Sequence, residues 1–170
     1  MKIRIENGRP ASAEAIQRIE RLLGTTLSES YRAFLLSQDG GEPESNCFDV
    51  GPNCGSGIRW FTPAADIPLQ RTYIDHIPDK AYPIAEDDCG NFILIDEAKN
   101  GAVFFWDHET SDLTLVAADF AAFLESLEPF DTESVRLKPG QVKQVWVDPD
   151  FQRQHPELFK SLPKPGENQG

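Results

Sequence analysis

Two short apolar segments joined by a turn constrain this chain more than any other feature of its sequence. "FILID" (Phe92–Asp96) and "AVFFW" (Ala102–Trp106) are rich in the β-branched and aromatic residues that favour strands. Asn100 and Gly101 stand just before the second segment, and both residue types tolerate the positive φ angles of tight hairpin turns. The pattern predicts an antiparallel β-hairpin at the centre of the fold.

Further strands are predicted on both sides of this hairpin. Apolar segments around Tyr82–Ala85 and Leu113–Ala117 flank it, so the middle of the chain is typical of a β-meander. Shorter strands are expected at Phe48–Val50 and Ile58–Phe61, and another at Lys2–Glu6.

Amphipathic helices are predicted at both ends of this sheet. The first, "SAEAIQRIERLLG", carries an apolar face between an N-cap at Ser12 and a stop at Gly24. In the second, "TTLSESYRAFLLSQDGG", Ser28 can cap and Gly40-Gly41 end the helix. Asp119 can cap a later helix, "FAAFLESL", and "IPLQRTYID" suggests a short one. The expected fold class is α+β, an antiparallel sheet with flanking amphipathic helices packed on one side.

The chain is predicted to consist of one domain and an extension. Residues 1–130 contain the predicted sheet and its helices. Residues 131–170 are expected to add an edge strand through Val145–Val147, a short capped helix in "DPDFQRQHPELF" and a disordered end, "LPKPGENQG".

The charge of the chain is strongly acidic and unevenly distributed. The formal net charge is −12, from 28 acids and 16 bases. Residues 131–170 hold six of each, so the whole excess lies in residues 1–130. A domain without a basic patch excludes nucleic acid and anionic membranes as partners, because it cannot neutralise phosphates. It would attract a basic protein, although acidity can also serve solubility alone.

The sequence shows no sign of export. The start, "MKIRIENGRP", has no apolar core of a signal peptide, and no apolar run has the length of a membrane span. Three cysteines at irregular spacing argue against a disulfide framework. The expected location is a reducing cytoplasm.

Glu86-Asp87-Asp88, followed by Cys89-Gly90-Asn91, is the most conspicuous candidate for a site. Consecutive acids on an extended chain point to alternate faces and lack calcium-loop spacing, so an acidic turn is favoured over a metal site. The cysteines and histidines have no zinc-ligand spacing. A catalytic pair of Cys89 and His108 is conceivable across the hairpin, but no third residue orients it. Gly51–Gly57 lacks the Lys-Ser/Thr of a phosphate loop and is expected to be a flexible loop, and no cofactor is expected.

The order of these segments resembles the SUKH superfamily, which includes the Smi/Knr type of fungal cell-wall regulators. The resemblance extends over roughly residues 13 to 127, and the tail after Phe130 falls outside it. The matching residues are Leu27, Tyr31, Arg32, Phe34 and Leu35 of the second helix, Gly40-Gly41, Pro83-Ile84-Ala85, Gly90-Asn91, Val103 through His108, and Phe120, Phe123 and Leu124.

The resemblance implies an α+β fold and a function through protein binding. Most bacterial members look like immunity proteins that bind and block a cognate toxin domain, often a nuclease, and the family has no general catalytic residues to carry over. We therefore expect a non-enzymatic immunity protein with a basic toxin partner. A regulatory or scaffolding module is the alternative, and an enzyme with an unrecognised site is the third possibility. The expected contacts are the acids of the loop-rich half: Glu42, Glu44, Asp75, Asp79, Glu86, Asp87 and Asp88.

Overall fold

A computed structural model of the chain describes residues 3–52, 54–130 and 146–159. The chain divides into two compact units, residues 1–130 and residues 131–170. The strands of the first unit are β1 (Ile5–Glu6), β2 (Glu42–Pro43), β3 (Cys47–Gly51), β4 (Cys54–Gly57), β5 (Trp60–Phe61), β6 (Ala81–Glu86), β7 (Phe92–Asp96), β8 (Ala102–Trp106) and β9 (Leu113–Ala117). Its helices are α1 (Ala13–Leu23), α2 (Glu29–Ser37), α3 (Ile67–Gln70) and α4 (Phe120–Ser126), and the second unit contains α5 (Pro149–Gln154).

The predicted meander is confirmed as a five-stranded antiparallel sheet. Strands β5 to β9 pair in sequence order, each with the next. Two smaller antiparallel pairs, β1–β2 and β3–β4, lie outside this sheet. The glycine-rich segment Gly51–Gly57 departs from the expected loop, because β4 pairs with β3 there. Strands pair through backbone hydrogen bonds, which need no side chains, so a segment poor in strand-forming residues can still pair with a neighbouring strand.

The two faces of the sheet pack differently. One face presents Ile93, Ile95, Val103 and Phe105 to a single apolar core that they share with α1, α2 and α4. Side chains of the other face, including Phe92, Leu94 and Trp106, pack against Ile74 from the segment after α3. Because successive residues alternate between faces, the apolar run in each central strand serves both layers. The α+β class expected from the sequence is confirmed.

Two of the three predicted helix caps form as expected. Ser12 Oγ accepts a 3.1 Å hydrogen bond from the Ala15 amide, and Asp119 Oδ1 accepts one of 2.8 Å from the Ala122 amide. Gly24 ends α1 with a φ of 60°. The prediction for α2 was right about its start, because Ser28 occupies the N-cap position, and wrong about its end. The Ser28 side chain makes no capping bond, and α2 ends at Ser37, before Gly40-Gly41.

The β7–β8 hairpin has the positive φ angles that its turn residues predict, within a longer loop. Asn100 and Gly101 have φ angles of 59° and 76°. Asp96 pairs with Ala102, so residues 97–101 form the loop, and Glu97–Lys99 make a 3₁₀ turn. Glu97 Oε1 accepts hydrogen bonds from the Ser28 amide and the Tyr82 hydroxyl, at 2.8 and 2.7 Å. This carboxylate fixes the loop against the start of α2.

In the second unit, Asp148 caps α5 by accepting hydrogen bonds from the amides of Asp150 and Phe151, and a 3₁₀ turn, Pro156–Phe159, follows. Of the edge strand predicted through Val145–Val147, Val145 lies outside the described residues, and Trp146 and Val147 belong to no strand. The predicted disordered end, "LPKPGENQG", also lies outside the described residues. Across the described ranges, no helix combines the length and apolar character that crossing a membrane requires.

Candidate partner-binding groove

The acidic turn after β6 is built around the Asp87 carboxylate. Its side chain is buried, with 4% of its surface exposed. Oδ1 accepts hydrogen bonds of 2.8 Å from the amides of Cys89 and Asn91, and Oδ2 accepts from Asn91 Nδ2 at 2.7 Å and Ser56 Oγ at 3.0 Å. Gly90 completes the bend with a φ of 88°. The carboxylate is fully engaged within the chain, so we leave Asp87 out of the proposed contact surface.

The neighbouring acids of this turn have different surroundings. Asp88 is 82% exposed and lies 3.6 Å from Arg59 Nε. The Arg59 guanidinium also stacks 4.0 Å above the centre of the Trp60 ring. Glu86 is half-buried and pairs with Trp60 across β5 and β6. Asp88 is therefore the acid of this turn that is most available to another molecule.

The other four candidate acids lie elsewhere on the first unit. Glu42 pairs with Glu6 in the small β1–β2 sheet, and Glu44 follows it. Asp75 and Asp79 precede β6, whereas Asp88 follows it, and the six-residue strand separates the two ends by about 17 Å. The seven predicted contact residues thus lie at both ends of β6 and on or next to the small β1–β2 sheet, and their role as contacts stays a prediction.

A groove of about 790 Å³ lies beside the β3–β4 hairpin. Its walls come from this hairpin, from β9, from the end of α4 and from the turn after β6. Of the seven acids predicted as contacts, only Asp88 lines it. The lining residues are Asn46, Cys47, Phe48, Asp49, Gly55, Ser56, Gly57, Asp88, Val116, Ser126, Glu128 and Phe130.

Backbone and apolar contacts hold the hairpin in place beside the groove. The amide and carbonyl of Cys47 exchange hydrogen bonds of 2.9 Å with those of Glu128. The Phe48 ring packs edge-on against Phe123 at 5.3 Å and lies 6.3 Å from Phe105. Since Phe123 and Phe105 belong to the main core, the groove wall is fixed to the most buried part of the fold.

The groove carries unbalanced negative charge. Its described lining contains three carboxylates, Asp49, Asp88 and Glu128, and no lysine, arginine or histidine. Among the described residues, Arg59 pairs with Asp88, and no cation pairs with Asp49 or Glu128. Burial raises the pKa of the Cys47 thiol, and the charge of Glu128 raises it further. The thiol therefore stays neutral, and the carboxylates give the groove a charge complementary to a cationic group.

A smaller pocket of about 330 Å³ lies near the same hairpin, lined among others by Cys54 and Cys89. The His108 ring contacts Asn91, with Nδ1 2.8 Å from Oδ1, and no contact in the described ranges joins it to Cys89, so the pair that the sequence made conceivable does not form there. No third residue joins Cys89 and His108 in the contacts of the described ranges. In those same ranges, no group of three or more His, Cys, Asp or Glu side chains could hold a metal ion.

Sequence patterns alone did not point to Asp49 and Glu128. Asp49 lies in a predicted strand between a buried Phe48 and a half-buried Val50, so alternation alone could have assigned its side chain to solvent. Glu128 follows α4 and reaches the groove through its pairing with Cys47, which is distant in the sequence. No local pattern reports such a pairing.

The first unit is a small α+β domain with an acidic groove beside the β3–β4 hairpin. Comparison with family models matches residues 10–126 to the SMI1 / KNR4 family (SUKH-1). The chain belongs to this family, whose members generally bind other proteins.

The chain also resembles a curated protein over part of its length. It is 41% identical over 68 residues to the SPbeta prophage-derived uncharacterized protein YokK of Bacillus subtilis (strain 168). The match covers 36% of this chain and 35% of that protein. The chain thus spans about a third of the length of this relative.

Proposed function

We propose that this chain is a non-enzymatic immunity protein that binds and neutralises a cognate toxin domain, in the cytoplasm. The acidic groove is the observation that carries this proposal. Asp49 and Glu128 line it without a described cation to balance their charge, within a unit that holds the entire −12 excess. A nuclease domain is basic where it holds phosphate, so an acidic surface can occupy that region in place of the substrate.

Other observations support the same proposal. Family membership makes a protein the expected ligand, and the prophage origin of the similar Bacillus protein is compatible with a role in microbial conflict. Cys47, Cys54 and Cys89 are free thiols, which suits a reducing compartment. Complementary charge would make association fast and sensitive to salt. We restrict the proposed contacts to the groove, with Asp88 retained from the residues predicted by the sequence.

The test has two stages. The tagged protein is first used to capture partners from its source cells, with washes at low and then high salt. The captured domain is then expressed in a bacterial host with the wild-type chain, with Asp49→Lys/Glu128→Lys, or with the charge-matched control Asp75→Lys/Asp79→Lys. Wild type and control should restore growth, and the groove variant should not.

A partner that does not harm the host would count against the proposal. A stable, non-toxic endogenous partner would instead support the regulatory or scaffolding module that the resemblance to Smi/Knr proteins suggests.

A further inference from the structure

We propose that the groove recognises one short segment of its protein partner, in which a lysine or arginine stands beside a large apolar side chain. This inference rests on the proposed function for the nature of the partner, and it specifies the chemistry of the contact. The volume of about 790 Å³ lies within the roughly 300–1,000 Å³ of pockets that bury compact ligands, so a few side chains can enter.

The free polar groups of the groove require a hydrogen-bond donor. Asn46 Nδ2 donates to the Ile58 carbonyl, Ser126 Oγ donates to the Phe123 carbonyl, and Ser56 Oγ donates to Asp87. The two hydroxyl donors are already used within the chain, and the Asn46 amide keeps one free N–H. Asp49 and Glu128 are the charged groups of the groove that have no partner among the described residues, and their carboxylates accept hydrogen bonds but cannot donate when ionised. Lysine and arginine supply donors and the complementary charge, whereas phosphates and acidic peptides are repelled.

The apolar surface of the groove requires a second kind of contact. Phe130 is 65% exposed at the groove, and the half-buried Val116 lines it as well. A purely basic segment would leave the Phe130 ring in water. A purely apolar segment would remove the carboxylates from water without a compensating partner, which is costly. A segment with both side chains satisfies the two parts of the groove at once.

A selection from random peptides tests this specificity even while the partner is unidentified. The immobilised full-length chain is exposed at low salt to a phage-displayed library of 12-residue peptides, and enriched peptides are synthesised for fluorescence anisotropy. We expect enriched peptides to place Lys or Arg within two residues of Leu, Ile, Phe or Trp.

Two groove variants and two matched controls locate the binding site. Phe130→Ser and Asp49→Lys/Glu128→Lys should each weaken peptide affinity by about tenfold or more. Leu115→Ser is the control for Phe130→Ser, since Leu115 is 60% exposed on β9 and does not line the groove. Asp75→Lys/Asp79→Lys is the charge-matched control. Both controls should bind the peptide with unchanged affinity.

Several outcomes would overturn the inference. Enriched peptides without a basic residue, or equal losses in the controls, would remove the groove as the recognition site. If only Asp49→Lys/Glu128→Lys weakened peptide binding, the surface would be purely electrostatic. That result would refute this inference, and the immunity proposal would still stand. Concentration-dependent self-association that Phe130→Ser abolishes would make the groove a contact between copies of the chain. Conversely, correct peptide specificity with failed growth rescue would refute the immunity role alone.

Discussion

The hydroxyl of Ser56 donates a 3.0 Å hydrogen bond to the buried carboxylate of Asp87, and this bond ties the β3–β4 hairpin to the turn after β6. The same carboxylate organises the turn itself through two backbone amides and the Asn91 side chain. One acid in a run of three is thus a structural residue, and its neighbour Asp88 faces solvent and lines the groove.

Replacing Asp87 should destabilise the protein far more than replacing Asp88. Asp87→Ala leaves its hydrogen-bond donors without their acceptor and should lower the free energy of unfolding by about 3 kcal/mol. Asp88→Ala removes only an exposed ion pair and should cost less than about 1 kcal/mol. Urea denaturation measures both. Equal costs for the two substitutions would contradict the structural role of Asp87.

Gly41 and Gly90 form a matched pair for separating backbone strain from steric overlap. Both have a φ of 88°. A Cβ at Gly90 meets open space, whereas at Gly41 it would collide with the Glu6 carbonyl oxygen and lie 2.7 Å from the Gly8 nitrogen. Gly90→Ala should cost about 1 kcal/mol of stability, and Gly41→Ala about 2 kcal/mol more, because of the overlap. Thermal unfolding compares them, and equal costs would contradict the close approach of β1 and β2.

Asp39 should make the protein less stable as the pH rises. Its half-buried carboxyl has a raised pKa, chiefly because of burial, although the Ala64 amide bond opposes this and Asp66 adds to it. The folded state therefore holds the proton more tightly than the unfolded state. The stabilisation that results from this tighter binding is fully present below the pKa of about 3.9 that Asp39 has in the unfolded chain. It is lost as the pH rises through the higher pKa that Asp39 has in the folded protein.

Asp39→Asn should remove this dependence while keeping an acceptor for the Ala64 amide. Relative to wild type, the variant should gain stability between low pH and pH 7. Urea denaturation at several pH values gives the comparison, with the exposed Asp75→Asn as control. A difference between variant and wild type that does not change with pH would rule out the raised pKa.

Cys47 should react more slowly with iodoacetamide than the exposed Cys54 and Cys89. Its thiol is half-buried at the groove, and its pKa is raised by burial and by Glu128, so less of the reactive thiolate is present. Glu128→Gln should increase its rate, and a peptide bound in the groove should reduce it. Mass spectrometry after timed alkylation resolves the three sites. A Cys47 rate equal to the others would contradict the described surroundings.

The sequence determined the local elements of the fold better than the site. Ser12 and Asp119 predict where their helices begin, because capping depends on residues within one turn of the cap. Asn100 and Gly101 have the φ angles that their types favour, yet the loop is longer than a two-residue turn, because Glu97 binds Ser28 and Tyr82 from other segments. That contact joins residues far apart in the chain.

The groove depends on long-range contacts still more. An acidic run such as Glu86-Asp87-Asp88 is visible in the sequence, but only tertiary structure separates the buried Asp87 from the exposed Asp88. Asp49 and Glu128 do not stand out in their local sequence and meet because Cys47 pairs with Glu128. Net charge predicts a basic partner, and the fold is needed to propose which surface binds it.

The central claim is that the groove, and not the general acidity of the chain, binds the partner. Stopped-flow association of the captured toxin domain with wild type, Asp49→Lys/Glu128→Lys and Asp75→Lys/Asp79→Lys at low salt tests it most directly. Both variants change the net charge equally. We predict that the groove variant slows association by about tenfold or more, while the control stays close to wild type. Equal slowing in both variants, or none in either, would contradict the claim.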